Sequence, residues 1–200
     1  GMVSDSVSPM IATARFIKAE DQNAKVVFIG PCIAKKTEAK LPELKDAVDC
    51  VLTFEELAAI FEAYRLEPDK IQVEMPLNDA SHDGRIYAHT GGVSTAIGAS
   101  IKSLNPDLEV KICHGNGIKE CRQILDAIEE GKLEANFVEG MACIGGCVGG
   151  PGKLVDHKVG AAAVDKFAAK SKVKEAISNE AATILVKKYR DKVDLDSPKM

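Results

Sequence analysis

Residues 25–32 read Lys-Val-Val-Phe-Ile-Gly-Pro-Cys, and this stretch decides the fold. A short apolar run that is rich in β-branched residues and stops at Gly30-Pro31 is typical of a buried strand. Similar short runs lie between turn signals farther along the chain. We therefore predict five strands, over residues 25–29, 49–52, 86–88, 110–113 and 136–138.

Longer segments with helical periodicity separate these runs. Pro9 after Ser8 suits the first position of a helix. Thr53, with Glu56 three residues later, forms the sequence pattern of a capping box for a helix that continues to Tyr64. Because strands and helices alternate, we predict an α/β fold with a mainly parallel sheet flanked by helices on both faces. The other predicted helices cover residues 92–104, 118–130, 161–170 and 172–189.

The length of 200 residues fits a single domain over residues 1–200. Gly1 before Met2 is typical of a residue left by tag removal, so we expect the natural protein to begin upstream. Within the chain we expect a surface loop over residues 78–84, a helical C-terminal segment over 156–190 and a fraying tail over 191–200.

Charge and hydropathy exclude two classes of partner. The formal net charge of −4 and the pI near 5.7 argue against nucleic acid. No apolar stretch reaches the length of about 18 residues that a membrane span needs, and no export signal is visible. Six cysteines without such a signal predict a reducing, cytoplasmic compartment, where clustered cysteines are metal ligands or catalytic thiols more often than disulfides.

The strongest local motif is Met-Ala-Cys-Ile-Gly-Gly-Cys-Val-Gly-Gly over residues 141–150. Cys143 and Cys147 among glycines suit thiolate ligation of an iron–sulfur cluster, because glycines let the backbone approach the sulfides and offer N–H groups to an anionic cluster. Zinc more often binds repeated pairs of cysteines that are three apart. The alternative is a Gly-rich turn with two core thiols.

A second motif, Gly-Pro-Cys-Ile-Ala-Lys-Lys-Thr-Glu over residues 30–38, follows the first predicted strand. If the stretch is helical, Cys32 and Lys35 project on the same side, and the lysine can donate charge-assisted hydrogen bonds to an anionic ligand. The alternative is a strand-end thiol beside two solvated lysines.

Together the two motifs resemble the second and third cluster-binding signatures of FeFe hydrogenases. The stretches Leu-Thr-Phe-Glu-Glu-Leu-Ala at 52–58, Thr-Gly-Gly-Val at 90–93 and Ser-Pro-Met at 8–10 are also similar to that family, so the resemblance covers residues 3–155. The matching signature residues are Pro31, Cys32, Lys35, Glu38, Glu139, Met141, Ala142, Cys143, Gly146, Cys147 and Gly150.

This resemblance implies an H-cluster, which is a four-iron four-sulfur cube joined to a di-iron subcluster that carries carbon monoxide, cyanide and a dithiolate. It implies that Cys32 and Cys143 are ligands of the cube and that Cys147 bridges to the di-iron unit. By the same resemblance, Lys35 would hydrogen-bond a cyanide, Glu38 would hold the polar network and Met141 would pack near the di-iron unit. Thr90 and Gly91 would border the cofactor. The implied reaction is the reversible reduction of protons to dihydrogen.

The family's first signature, with the remaining cube ligand, is expected upstream of Val3. The resemblance also implies electron delivery by a ferredoxin-type donor or N-terminal iron–sulfur domains, and maturation proteins that install the di-iron unit. Gly30, Gly140, His89 and the stretch 151–153 depart from the usual catalytic pattern and favour a divergent or hydrogen-sensing branch. Three functions stay open: a catalytic hydrogenase, a hydrogen sensor with slow turnover, and an iron–sulfur scaffold without the di-iron unit. Lys35 favours the first two.

Overall fold

The computed structural model describes residues 2–72 and 79–196. Four short strands, all in parallel pairs, alternate with helices, which confirms the predicted α/β class. The strands form two separate two-stranded sheets among the described residues, one from β1 and β2 and one from β3 and β4. The strands are β1 (Val27–Ile29), β2 (Cys50–Leu52), β3 (Ile112–Asn116) and β4 (Phe137–Met141).

Eight α-helices are present in the described ranges, together with three short 3-10 turns at Pro68–Lys70, Cys147–Gly149 and Ala176–Ser178. The helices are α1 (Pro9–Glu20), α2 (Ala34–Glu38), α3 (Phe54–Ala63), α4 (His82–Ile86), α5 (Gly92–Leu104), α6 (Ile118–Glu129), α7 (His157–Ala169) and α8 (Glu180–Tyr189).

Helices cover both faces of the β3–β4 sheet. Glu139 lies on one face and accepts hydrogen bonds from Gly91 N and Ser94 N at the start of α5. Gly115 lies on the other face, where the thiol of Cys121 in α6 donates to its carbonyl oxygen at 3.6 Å. Because neighbouring residues of a strand alternate between faces, α5 and α6 pack on opposite sides of this sheet.

Two apolar clusters stabilise the end of the molecule near α1. The larger one surrounds Ile11, which is fully buried, and the smaller one joins Phe16 of α1 to Tyr189 and Val193. The larger cluster comprises Met10, Ile11, Ala14, Leu44, Ala47, Val48 and Val51, with Val7, Val26, Phe28 and Ala39 against it.

The strand predicted over residues 86–88 is wrong. Ser81 caps a short helix by accepting from Gly84 N at 3.0 Å, and this helix, α4, ends at the buried Ile86. A run of three apolar residues does not by itself distinguish a strand from the end of a helix. The loop predicted over 78–84 is wrong for the same reason from His82 onward, while Asn78 lies outside the described residues.

Two predictions for the C-terminal part also need correction. The helix predicted from Lys172 begins at Glu180, because the side chain of Asn179 caps it by accepting from Ala182 N at 3.1 Å. The tail does not fray up to Asp196: Val193 is buried, and Leu195 O accepts from Val7 N at 2.9 Å. Residues 197–200 lie outside the described part.

No helix of residues 2–72 and 79–196 combines the length and the apolar character that crossing a membrane requires.

Candidate functional site

The site lies where the strands end. Cys32 follows β1 after Gly30-Pro31, Cys143 follows β4 by two residues, and Cys147 begins the 3-10 turn beyond it. The carboxyl ends of parallel strands are where α/β folds place ligands, because loops from several strands meet there. All three thiols are partly exposed, so a ligand can reach them.

Direct contact between loops brings the two cysteine motifs together. Gly152 N donates to Pro31 O at 2.9 Å, and a Cβ added at Gly150 would lie 2.5 Å from the same carbonyl oxygen. A Cβ added at Gly152 would lie 2.5 Å from the Cβ of Thr53, which follows β2. Only glycine permits these approaches, so the loop after Cys147 is fastened to the loop that carries Cys32.

The turn at Thr90 forms the third side of the site. Thr90 N donates to Gly145 O at 3.2 Å, and Val148 N donates to Ala88 O at 2.9 Å. A Cβ added at Gly146 would lie 2.5 Å from Thr90 N. Thr90, one of the two residues predicted to border the cofactor, therefore lies against the loop between Cys143 and Cys147, while Gly91 N donates to Glu139 Oε1 at 2.8 Å.

The electrostatics of Cys147 show which groups surround it. Burial raises the pKa of the Cys147 thiol, and the nearby Cys32 raises it further, while Lys35 acts in the opposite direction. Cys143 and Glu139 contribute in the raising direction. The pKa of Cys147 therefore depends on charges at Cys32, Cys143 and Lys35, the residues that the two sequence motifs single out.

The described residues hold no group of three or more His, Cys, Asp or Glu side chains arranged around a single ion position. A four-iron cube makes a different demand, because each of its four cysteine ligands binds at its own corner and the sulfurs surround a space. Three partly exposed thiols on two contacting loops are donors of the kind that three corners of such a cube need. The donor chemistry fits as well, since thiolates are the usual ligands of iron–sulfur clusters.

The glycines of the motif serve a purpose different from the predicted one. We expected their N–H groups to face a cluster, but several donate to protein oxygens: Gly145 N to Asn116 Oδ1 at 2.6 Å, and Gly150 N to Cys147 O at 2.9 Å. Gly149 lacks space for a side chain because a Cβ would lie 1.9 Å from Ile144 O. These glycines allow the loops to pack closely, so that prediction is wrong for them.

Lys35 and Glu38 form an ion pair in α2, with Lys35 Nζ 2.5 Å from Glu38 Oε2 and both side chains about one-quarter exposed (24% and 22%). The predicted helical turn after Cys32 is present, since α2 begins at Ala34. The neighbouring Lys36 holds α2 in place by donating to Val51 O at 3.1 Å and to both carboxylate oxygens of Glu56 at 2.8 Å.

Met141 ends β4, where its carbonyl oxygen accepts from Gly117 N at 2.8 Å. It lines a cavity of about 920 Å³ that Glu139, Tyr87 and residues 2–9 also line. Met141 is therefore at the edge of the site, two residues before Cys143.

Two residues of the site carried no predicted role. Asn116, the last residue of β3, accepts with one oxygen from both Gly145 N and Thr90 Oγ1, at 2.6 and 3.0 Å. Glu139 is buried, and its two oxygens accept from Gly91 N at 2.8 Å and Ser94 N at 2.7 Å. Its negative charge therefore meets the positive end of the α5 dipole. A polar residue at the end of a strand was the only signal in the sequence for Asn116.

The other cysteines lie elsewhere. Cys50 is exposed at the start of β2, Cys113 is partly buried in β3, and Cys121 of α6 donates to Gly115 O and to Met141 O. His89, beside Thr90, has its Nε2 2.9 Å from Asp165 Oδ1.

Comparison with known proteins identifies similar chains. A family model described as the iron only hydrogenase large subunit, C-terminal domain, matches residues 1–151. The periplasmic Fe hydrogenase large subunit of Nitratidesulfovibrio vulgaris is 29% identical over an alignment of 175 residues. This alignment covers 71% of this chain and 42% of that protein. Iron hydrogenase 1 of Clostridium pasteurianum is 29% identical over an alignment of 167 residues, and this alignment covers 67% of this chain and 29% of that protein.

Relatives with other names are also similar. The cytosolic Fe-S cluster assembly factor NAR1 of Kluyveromyces lactis is 29% identical over an alignment of 124 residues, and this alignment covers 56% of this chain and 26% of that protein. The chain thus spans less than half the length of the curated hydrogenases and of the assembly factor that it matches.

Solved structures share the fold. A variant of the FeFe-hydrogenase HydA1 from Chlamydomonas reinhardtii superimposes with a TM-score of 0.68 and 19% identity, covering 94% of this chain and 66% of that one. A structure of an FeFe-hydrogenase in a study of oxygen inactivation gives a TM-score of 0.69, also at 19% identity, covering 94% of this chain and 65% of that one. The α/β arrangement with its converging loops is therefore one that hydrogenase structures also have.

Proposed function

Because the chain belongs to the family of the iron-only hydrogenase large subunit, C-terminal domain, we propose that it holds an H-cluster through Cys32, Cys143 and Cys147. One observation carries the proposal: the loop that carries Cys147 is fastened to the loop that carries Cys32, because Gly152 N donates to Pro31 O at 2.9 Å. The effects of Cys32, Cys143 and Lys35 on the pKa of Cys147 support it, since Cys32 and Cys147 are more than one hundred residues apart in sequence.

The proposed roles follow the family resemblance. Cys32 and Cys143 would hold the four-iron four-sulfur cube, and Cys147 would hold it next to the di-iron subcluster. The fourth cube ligand is a further residue, expected upstream of Val3. Thr90 would border the cluster, since it contacts the Cys143–Cys147 loop, and Gly91 is the next residue of the same turn.

Lys35 donates to an anionic ligand of the cluster, such as cyanide, in this proposal. Its ion pair with Glu38 supports the role, because the carboxylate fixes the ammonium group on α2, which directly follows the Cys32 loop, while leaving it further N–H donors. Met141 shields the cluster on the side of the cavity. The di-iron unit supplies the redox chemistry of proton reduction, and these residues supply ligands, a charge partner and exclusion of water.

The whole protein is proposed to be an FeFe hydrogenase-like oxidoreductase that converts protons and dihydrogen, with electrons from a ferredoxin-type donor or from N-terminal iron–sulfur domains. Maturation proteins would install the di-iron unit. We propose a cytoplasmic location because all six cysteines are free thiols, although a relative named as periplasmic exists. Cell fractionation with an antibody to the chain would test the location.

A second candidate function is an iron–sulfur scaffold without the di-iron unit. The similarity to a protein named as a cytosolic Fe-S cluster assembly factor favours it. Lys35 distinguishes the candidates, because a cyanide ligand gives its partly exposed ammonium group a partner that a cube alone does not provide. A hydrogen sensor would share the H-cluster and differ in turnover.

The first experiment tests cluster binding by the chain itself. The protein is incubated anaerobically with ferrous iron, sulfide and a small thiol as substitute fourth ligand, and iron and sulfide per chain are measured with the electron paramagnetic resonance spectrum. We expect Cys32→Ser, Cys143→Ser and Cys147→Ser each to lower iron content several-fold, while Cys50→Ser and Cys113→Ser serve as matched controls and retain it. If a variant with all three of these cysteines replaced by serine kept as much iron as the two controls, the proposal would be overturned.

The second experiment separates the two candidates. Infrared spectroscopy of the full-length protein after maturation should show carbon monoxide and cyanide stretches, and Cys147→Ala should abolish them. An intact cube without these bands, under conditions that mature a known hydrogenase, would support the scaffold instead. If the bands are present, the rate of dihydrogen turnover distinguishes an enzyme from a sensor.

A further inference from the structure

We propose that Asn116 is a positioning residue that fixes the Thr90 turn and the Cys143–Cys147 loop relative to each other around the cluster. The inference rests on the proposed function. Its basis is that a single side-chain oxygen of Asn116 accepts from donors on both segments.

The hydrogen-bond geometry is unambiguous. Gly145 N can only donate, so the side-chain atom 2.6 Å from it is the carbonyl oxygen of Asn116 and not its amide nitrogen. Thr90 Oγ1 lies 3.0 Å from the same oxygen and donates to it. An amide oxygen has two lone pairs, and both are therefore used.

Asn116 is itself held firmly. Its backbone N–H donates to Glu120 Oε2 of α6 at 2.8 Å, and it pairs with Met141 in the β3–β4 register. The next residue, Gly117, donates its N–H to Met141 O. The amide oxygen thus projects from a corner where sheet and helix meet toward the Thr90 turn and the Cys143–Cys147 loop.

The position of Gly145 explains the expected effect. Gly145 lies between Cys143 and Cys147, so its N–H fixes the loop that sets the separation of two proposed cluster ligands. Residues that orient metal ligands typically change metal affinity or activity 10- to 100-fold when they are replaced. Asn116 acts through the ligands and does not itself contact the cluster.

The test compares four variants of the chain, each loaded anaerobically with iron and sulfide as above. The readouts are the rate at which an iron chelator removes the cluster and the midpoint potential of the cluster in a redox titration. Asn116→Leu keeps the approximate size but removes the acceptor, and we expect cluster loss about 10-fold faster than in the wild type. Asn116→Asp keeps both acceptor bonds, so we expect near wild-type loss with a more negative midpoint potential.

Asn136→Leu is the matched control. Asn136 immediately precedes β4, where its side chain also bridges two backbone groups, Lys111 N and Glu109 O, each at 2.8 Å. It lies at the other end of the same sheet, so its loss perturbs the fold to a similar degree without touching the site. We expect cluster loss at the wild-type rate.

Thr90→Val supplies a second variant in case Asn116→Leu does not fold. It removes one of the two donors and keeps the shape of the side chain, so cluster loss should be faster than in the wild type and slower than in Asn116→Leu. Wild-type loss rates in both Asn116→Leu and Thr90→Val, or equal acceleration in Asn136→Leu, would overturn the inference. Failure of the wild-type chain to bind a cluster would instead overturn the proposed function.

Discussion

At the residue scale, the chemistry of Cys147 depends on its surroundings. Only the thiolate binds iron, so a thiol that burial keeps protonated must release a proton when a cluster binds. Burial raises the pKa of Cys147, and the neighbouring Cys32 adds to the effect. Because the folded pKa is raised, ionisation of Cys147 opposes folding. The neutral thiol contributes fully to the free energy of unfolding below the pKa of the unfolded chain, and this contribution is lost as pH rises through the folded pKa.

This predicts slow alkylation of Cys147 in the cluster-free protein. Iodoacetamide reacts with the thiolate, so the rate at Cys147 should rise with pH and reach half its maximum above the ordinary cysteine value of about 8.5. Mass spectrometry of peptides after timed labelling measures the rate at each cysteine, with the exposed Cys50 as an internal reference for the reagent. A midpoint for Cys147 at or below the ordinary value would contradict the prediction.

Glu139 is a second residue whose role depends on burial. Both of its oxygens are committed to N–H groups at the start of α5, so Glu139→Gln replaces one acceptor with a donor that faces a donor. We expect a loss of about 2 kcal/mol in the free energy of unfolding, because bonds to charged groups contribute about 1.5–3 kcal/mol. Urea denaturation measures it, and Glu129→Gln, on the exposed end of α6, is the control. A difference between the two variants below about 0.5 kcal/mol would show that the carboxylate is not needed.

At the element scale, local capping signals made several helices predictable. Ser8 and Thr53 each accept from a backbone N–H of their own helix, at 3.5 and 3.1 Å, so the sequence contains the reason for the start of α1 and α3. Ser81 is a cap of the same kind, but the short apolar run over residues 86–88 points to a strand, and only its first residue, Ile86, lies in α4. The Gly-rich turns after β1 and β4, which carry the cysteines, were predictable from the sequence. The contacts of Asn116 with Thr90 and Gly145 were not predictable, because they depend on how β3 meets two distant turns.

The cap of α3 predicts a specific pH dependence. Hydrogen bonds from Lys36 and from the backbone N–H of Thr53 lower the pKa of the Glu56 carboxyl below its ordinary value of 4.5. A lowered folded pKa means that the ionised carboxylate stabilises the fold above the unfolded pKa and that this contribution disappears as pH falls through the folded pKa. Glu56→Gln should therefore destabilise the protein at pH 7, and the difference from the wild type should shrink as pH falls below 4.5 and through the folded pKa.

Urea denaturation at several pH values measures this difference. Glu55→Gln is the matched control, since Glu55 lies in the same first turn of α3 but outside the capping box. A constant difference between Glu56→Gln and the wild type from pH 7 to pH 3 would contradict the proposed cap.

At the scale of the whole molecule, the site joins two sheets. Cys32 follows the β1–β2 sheet, whose strands pack on the α1 cluster, whereas Cys143 and Cys147 follow the β3–β4 sheet. The contacts of Gly150 and Gly152 with Pro31 and Thr53 fix the two halves of the ligand set. A cluster held by all three thiols would bridge these halves. Binding to the folded state alone would then stabilise the whole chain by mass action.

Gly152 provides the test of this arrangement. Gly152→Ala places a Cβ 2.5 Å from the Cβ of Thr53, too close for the loop to keep its position, so Cys147 should move away from Cys32. We expect iron content after anaerobic loading to fall at least several-fold, and the stabilisation that loading gives the wild type in urea denaturation to be lost. Gly98→Ala makes the same chemical change in α5, where the added Cβ meets only the flexible end of Ile112, at 3.3 Å, and should load normally. Wild-type loading of Gly152→Ala would show that the ligands are positioned independently of the contact between the two loops.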